Sequence, residues 1–217
     1  MRGMEKVLSE PFGLYLVVTN PLTSYERCCE AAVAAGIKFV QLRLKHAPRE
    51  TVLEHARNFR SITSGSQTRF ILNDNPAWAV EVGADGVHLG QSDGNLAEAR
   101  RACPQLKVFG LSTHSPDQVH AAARVASDYI GVGPVFATPT KEIPDPTLGI
   151  SRMAEMVSAA PCPAVAIGGI DHQNLRSVLE AGARNFAVVR DVCLSTDPLS
   201  AISRLQDIWH EVESHRN

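Results

Sequence analysis

Two polar breaks in otherwise apolar runs carry carboxylates that could hold a cation. Asn73-Asp74 follows Phe70-Ile71-Leu72, and Gln91-Ser92-Asp93 follows Val87-His88-Leu89-Gly90. Asp74 and Asp93 are nineteen residues apart in the chain. Brought side by side they would repel, and one pKa would rise unless a cation lay between them. Mg²⁺ suits such a pair, because it takes oxygen ligands and is often held by one or two carboxylates, with water and substrate phosphates completing its octahedron. Either aspartate could instead cap the helix that follows it, since Asp and Asn are common at such places for purely local reasons.

Basic and small residues supply candidate anion sites. In Gln41-Leu42-Arg43-Leu44-Lys45 an extended backbone places residues 41, 43 and 45 on one face, which would present an amide, a guanidinium and an ammonium together. Arg offers phosphate a bidentate fork and Lys a compact charge, so a diphosphate chelated to Mg²⁺ could be held from both sides. Lys141, close to Thr138, Pro139 and Thr140 in GPVFATPTK, can approach the same phosphates from a proline-stiffened loop. Gly169, in the pair Gly168-Gly169, and the Val189-Arg190 junction are candidates for a second phosphate, because glycine permits close backbone approach and helix starts offer N–H groups. Ser112 is placed to bond a polar substrate, whereas Ser115 before Pro116 reads as an N-cap. His88 and His114 receive no ligand role. The sequence has no HExxH, close His/Cys cluster, GxGxxG or P-loop, so zinc hydrolysis, a Rossmann cofactor and Walker-type nucleotide binding lack support.

Residues this scattered need a fold that converges them. Leu14 to Thr19 is a continuous apolar run, which suits a strand buried on both faces, and further strands are expected at 37–42, 69–72, 85–89, 107–109, 129–132, 164–167 and 185–189. Helical periodicity or capping signals lie between them: Thr23 or Ser24 opens the first helix, Gly36 ends it, and others follow at about 49–61, 76–82, 95–102, 115–124, 150–159, 171–181 and 198–212. The stretch 136–147 holds Pro139, Pro144 and Pro146 and reads as a long, partly mobile loop. Eight strands alternating with eight helices indicate an α/β chain folded as a compact (β/α)8 TIM barrel. An open doubly wound sheet is the competing architecture. In the barrel, residues just past the C-terminal strand ends share one mouth, and adjacent strands lie about 5 Å apart.

The 217 residues, 44% of them hydrophobic, can bury one core, so a single domain over 1–217 is expected, with 1–12 as an N-terminal extension. Its 21 basic and 23 acidic side chains leave a net charge of −2 without long like-charge blocks, giving no support to nucleic-acid or membrane-surface binding. Five cysteines without a CxxC pair speak against a disulfide framework and fit a reducing, cytoplasmic setting. No secretory signal or membrane span is evident. Homo-oligomer formation is left open.

VQLRLK at 40–45, NDNPAWAVEVGADGVHLGQSD at 73–93, GLSTHS at 110–115, DYIGVGPVFATPTK at 128–141, AIGGI at 166–170 and GARNFAVVRD at 182–191 together resemble the thiamine phosphate synthase family, also called thiamine-phosphate pyrophosphorylase. The resemblance implies a (β/α)8 transferase of thiamine biosynthesis. It would join 4-amino-2-methyl-5-hydroxymethylpyrimidine diphosphate to hydroxyethylthiazole phosphate, giving thiamine phosphate and pyrophosphate. It implies Mg²⁺ on Asp74 and Asp93. It implies pyrimidine diphosphate on the Gln41-Leu42-Arg43-Leu44-Lys45 stretch, Asn73, Ser112 and Lys141, with Arg43, Lys45, Lys141 and Ser112 as catalytic groups. The thiazole phosphate would meet Thr138, Pro139, Thr140, Gly169, Val189 and Arg190.

Three departures stand out: Arg190 where the family often has a hydroxyl residue, Ser92 at an often acidic or threonine position, and Leu44 where an acidic residue is common. A thiazole tautomerase paralogue is an alternative, although its resemblance implies His at the place of Pro134. A non-catalytic phosphate-ligand sensor and a phosphosugar isomerase are others; the last needs an acid–base pair that the sequence does not recommend.

Overall fold

The computed structural model describes Leu8, residues 11–140 and residues 145–216. Eight parallel strands close on themselves in chain order: β1 Gly13–Val18, β2 Phe39–Leu42, β3 Arg69–Asn73, β4 Gly86–Leu89, β5 Val108–Thr113, β6 Tyr129–Val132, β7 Ala164–Ile167 and β8 Asn185–Val188. The last strand pairs with the first through Gly13↔Asn185 to Leu16↔Val188. The expected barrel is therefore present and the open sheet is not. Closure leaves no unpaired sheet edge.

Helices cover the outside: α1 Tyr25–Ala34, α2 Arg49–Thr63, α3 Pro76–Glu81, α4 Leu96–Ala102, α5 Pro116–Ala122, α6 Gly149–Ser158, α7 Leu175–Glu180, α8 Arg190–Cys193 and α9 Pro198–Ser214. The expectation of eight helices omitted α8. It is a single turn, too short to show an amphipathic period. Two other expectations are corrected. The fifth strand runs to Thr113 instead of stopping at 109, because Ser112 and Thr113 pair with Gly131 and Val132 although their polarity reads as loop. The seventh helix begins at Leu175 instead of 171, because Asp171 folds its side chain onto the Gln173 and Asn174 N–H groups.

Period-two alternation divides the strand side chains between two cores. Outward residues such as Leu16, Leu42, Leu72, Val87 and Phe186 pack under the helices, while Tyr15, Val17, Phe39, Ile71, Val108, Tyr129, Val165 and Ala187 fill the barrel. Of the expected extension at 1–12, Leu8 is buried against this inner cluster and Phe12 packs on it, with the Phe12 ring 4.9 Å from Phe39. Residues 1–7, 9 and 10 lie outside the described residues. The interior is deliberately uneven: a Cβ on Gly110 would stand 2.1 Å from the Tyr129 ring, so only glycine lets that ring cross the barrel.

All five cysteines are free, and no helix among the described residues is long and apolar enough to cross a membrane.

Candidate active site

The upper barrel opens into a cavity of about 580 Å³ whose lining comes from six or more strand ends. On one side stand Gln41 and Arg43 from the end of β2, Asn73 from β3, and Ser112 from β5. On the other stand Thr138, Pro139 and Thr140 from the segment after β6, Gly168 and Gly169 after β7, and Val189 and Arg190 after β8. The volume falls in the range that encloses small-molecule ligands.

Asp74 and Asp93 come together at the rim. The Lys45 ammonium lies 2.5 Å from Asp74 and 3.8 Å from Asp93, bridging the two. Neither aspartate caps a helix: Asn75 accepts from the Trp78 N–H at the start of α3, and Asn95 accepts from Ala97 and Glu98 at the start of α4. The asparagines do the capping, which leaves both carboxylates for the mouth. Asp74 sits at φ 70°, a left-handed conformation that Asp tolerates better than most side chains, and Asp93 is set by its bond from the Gly90 N–H at 2.8 Å.

The pair behaves as two coupled acids. Burial and the hydrogen bond shared with Asp93 raise the Asp74 carboxyl above its ordinary value. Burial also pushes Asp93 upward, but hydrogen bonds from Asp74 and the Gly90 amide, with the charge of Lys45, outweigh it and hold Asp93 low. Such a pair with shared charge is the signature of a site that a cation would relieve. Two carboxylates suffice for Mg²⁺ when phosphate and water complete the shell, so the donor set fits that ion. No group of three or more His, Cys, Asp or Glu able to hold a metal occurs among the described residues.

Arg43 is partly buried beside this pair. Burial lowers its pKa, while Asp74 and Asp93 pull the other way and favour its charge. Its backbone N–H still bonds Val18, so strand-like pairing continues one residue past β2 and keeps Gln41 and Arg43 on one face. The chain then bends, with His46 at φ 60°, and Lys45 leaves the cavity lining to meet the aspartates.

A family model described as thiamine monophosphate synthase matches residues 14–192. The chain belongs to the thiamine monophosphate synthase family. The thiamine-phosphate synthase of Gloeobacter violaceus is 43% identical over 185 residues, 85% of this chain and 54% of that protein. That of Synechocystis is 41% identical over 192 residues, 88% of this chain and 55% of that protein. The chain thus spans about half the length of these curated relatives. The solved thiamine phosphate pyrophosphorylase of Pyrococcus furiosus superposes with a TM-score of 0.84 at 30% identity, covering 93% of this chain and 97% of that one.

Within this thiamine monophosphate synthase family member, the residues singled out by sequence separate into three groups. Gln41, Arg43, Asn73, Ser112, Thr138, Pro139, Thr140, Gly169, Val189 and Arg190 line one cavity, while Lys45, Asp74 and Asp93 form its charged rim. Leu42 and Leu44 do not belong with them: Leu42 is fully buried in the core under the helices and Leu44 packs against that core, so their side chains do not contact the cavity. Alternation is the reason, since neighbours of inward residues must point outward. Lys141 lies outside the described residues.

The glycine turn also differs from expectation. The amides at 173 and 174 are taken by Asp171, so they are not open donors for an anion. Gly169, at φ 66°, remains indispensable for shape, because a Cβ there would come 2.7 Å from Phe136 and 2.8 Å from the Ala137 carbonyl. The new helix α8 begins at Arg190 on the cavity edge and is braced by Asp191, whose carboxylate takes His172 Nδ1 at 2.8 Å and the His172 N–H at 3.1 Å. A short extra helix after the eighth strand is a recurrent phosphate-binding feature of these barrels, and that rule was the available signal for it.

Sequence reasoning missed several cavity residues. His114 bonds the Gly133 carbonyl through Nδ1 at 2.6 Å and faces Asp145 at 3.5 Å, tying the strand-five end to the long loop. Tyr15, His88 and Tyr129 line the cavity floor. Period two from Val17 or Gly131 could have placed Tyr15 and Tyr129 inside, but nothing local distinguishes an inward tyrosine from an outward one in a strand buried on both faces.

Proposed function

We propose that this protein is a transferase that joins the pyrimidine diphosphate to the thiazole phosphate, forming thiamine phosphate and releasing pyrophosphate, with Mg²⁺ held by Asp74 and Asp93. The observation that carries the reading is the convergence of two unlike anion-facing groups on one cavity: Arg43, Asn73 and Ser112 beside the aspartate rim, and Gly169, Val189 and Arg190 opposite. Two anchored anions are what a condensation between two phosphorylated halves requires. The relatives named thiamine-phosphate synthase support the same reading, as does the donor set that fits Mg²⁺.

The chemistry asks little of a nucleophile or base. The carbon–oxygen bond to the diphosphate ionises because the aminopyrimidine disperses the positive charge, and the thiazole nitrogen captures the methylene cation. Mg²⁺, when bound, supplies charge neutralisation of the departing diphosphate. Arg43 and Lys45 add fixed positive charge to the same oxygens, and Ser112 donates a hydrogen bond. The opposite wall holds the second phosphate so that the nitrogen faces the reacting carbon, which makes orientation a large part of the rate. Mixing both phosphorylated substrates with the protein, with and without Mg²⁺, and following thiamine phosphate and pyrophosphate together tests this. Thiazole isomerisation without pyrophosphate, or binding without product, would reject it.

A further inference from the structure

Beneath the anion-facing groups, five polar side chains from five strands form one continuous chain across the barrel. Gln41 Nε2 donates to the Tyr15 hydroxyl at 2.9 Å, and the Tyr15 and Tyr129 hydroxyls are 2.8 Å apart. The Tyr129 hydroxyl is 2.9 Å from His88 Nδ1, and His88 Nε2 is 2.9 Å from Ser112 Oγ. Tyr15 and Tyr129 are each about 2% exposed, and Gln41 is 4% exposed. A proton without an acceptor is expensive in such a place.

Counting protons sets the direction of every bond. The Gln41 amide nitrogen is donor only, so Tyr15 accepts from it. Among the described residues the Tyr15 proton then has one acceptor, the Tyr129 oxygen. That edge being used, the Tyr129 proton goes to His88 Nδ1. Nδ1 is therefore the acceptor nitrogen, the ring proton sits on Nε2, and Nε2–H donates to Ser112. Reversing the chain would require the Gln41 amide to turn over and offer its oxygen to Tyr15. Burial raises the pKa of both phenols, so each keeps its proton and the chain stays intact.

We infer that Gln41, Tyr15, Tyr129 and His88 form a one-way hydrogen-bond relay that holds His88 as its Nε2–H tautomer and thereby leaves the Ser112 hydroxyl to donate only into the cavity, toward a bound diphosphate. Tyr129 and His88 are positioning residues that act through Ser112. The anion's identity rests on the proposed function; the tautomer does not. Ser112 shows why such a device is useful. A serine hydroxyl rotates freely and would otherwise give its proton to the neighbouring imidazole, presenting lone pairs to an anion. With Nε2 already protonated, the serine oxygen is occupied as acceptor and its proton is free for the ligand.

Gly110 makes the arrangement feasible, since a Cβ there would overlap the Tyr129 ring. The Tyr129 and His88 rings stack at 5.5 Å with an interplanar angle of 29°, which limits the imidazole's freedom to turn its nitrogens about.

The test begins with the ligand-free protein labelled with ¹⁵N-histidine, His88 being assigned by the resonances lost in His88→Gln. Wild-type protein is expected to show a proton on Nε2 and an unprotonated Nδ1, and Tyr129→Phe to move His88 toward a tautomer mixture. Titration with pyrophosphate and Mg²⁺ follows. Ser112→Ala is expected to weaken binding about tenfold, as for loss of a hydrogen bond to a charged group. Tyr129→Phe should weaken it severalfold, and the double variant should bind no worse than Ser112→Ala alone. A purely structural tyrosine would lower the melting temperature of Tyr129→Phe without moving the tautomer, and its effect on binding would multiply that of Ser112→Ala. A wild-type Nδ1–H tautomer, an unmoved tautomer in Tyr129→Phe, or fully multiplicative losses would each overturn the relay. If the tautomer results hold while the protein makes no thiamine phosphate from the two substrates, the relay stands and the proposed reaction fails.

Discussion

On the β2–β4 side of the mouth the polar groups are charged side chains: Arg43, and Lys45 paired with Asp74 at 2.5 Å and with Asp93 at 3.8 Å. On the β7–β8 side the wall is mostly backbone and small residues, Gly168, Gly169 and Val189, with Arg190 exposed at its edge. The first side can neutralise a large developing charge, because its own charges are partly desolvated and fixed before a ligand arrives. The second can only shape and hold. For the proposed reaction, the side where a diphosphate leaves should be sensitive to charge, and the side that holds an unchanging phosphate should be sensitive to shape.

The largest effect is expected at the aspartates. Asp74→Asn keeps a side chain that tolerates the left-handed backbone, and Asp93→Asn keeps an acceptor for the Gly90 N–H, so both should fold. Each should lower turnover by about a hundredfold or more, since Lewis-acid stabilisation is worth several kcal/mol and each 1.36 kcal/mol is tenfold. Pyrophosphate release at saturating Mg²⁺ measures this. Full activity in both would break the comparison at its charged end.

Arg43→Lys comes next. It keeps the charge but loses the fork that grips two phosphate oxygens, and a charged hydrogen bond is worth about 1.5–3 kcal/mol, so kcat/KM for the pyrimidine diphosphate should fall by at least about tenfold. An equal loss for both substrates would mean that Arg43 does not distinguish the two sides.

Gly169→Ala probes shape. Its new Cβ would meet Phe136 and the Ala137 carbonyl at a backbone φ of 66°, so we expect a stability loss of about 1–2 kcal/mol in urea unfolding and a raised KM for the thiazole phosphate alone. A raised KM for the diphosphate instead would merge the two sides into one.

The smallest effect belongs to Arg190→Ser. The side chain is exposed, and an exposed ion pair with a phosphate contributes about 0.2–1 kcal/mol, so the thiazole phosphate KM should rise by no more than about fivefold, and less at high salt. A tenfold or greater effect would give the shape-holding side a charge of its own and sharpen the assignment of Arg190.

The charged side was also the more legible one in sequence. Asp74, Asp93, Arg43 and Lys45 announce themselves by residue type at strand ends, and strand spacing alone places those ends together. Their capping role was equally legible and proved to belong to Asn75 and Asn95, one and two residues further on. Leu42 and Leu44 entered the site only by resemblance and leave it by alternation. On the backbone-built side the sequence offered little beyond Gly168-Gly169, because main-chain donors carry no residue signature; Asp171 occupying its own turn and α8 forming at Arg190 both depend on local geometry.

By itself the sequence determined the eightfold strand–helix alternation, the closed barrel that such alternation favours, and the set of charged residues at its mouth, because hydrophobic period and residue type are local properties. Tertiary structure alone decided which neighbours those residues found. Lys45 between two aspartates, and Tyr15, Tyr129 and His88 joined across the barrel, are contacts between strands that closure brings within hydrogen-bonding distance. No spacing along the chain encodes them, since each depends on the register and tilt with which eight separate strands close.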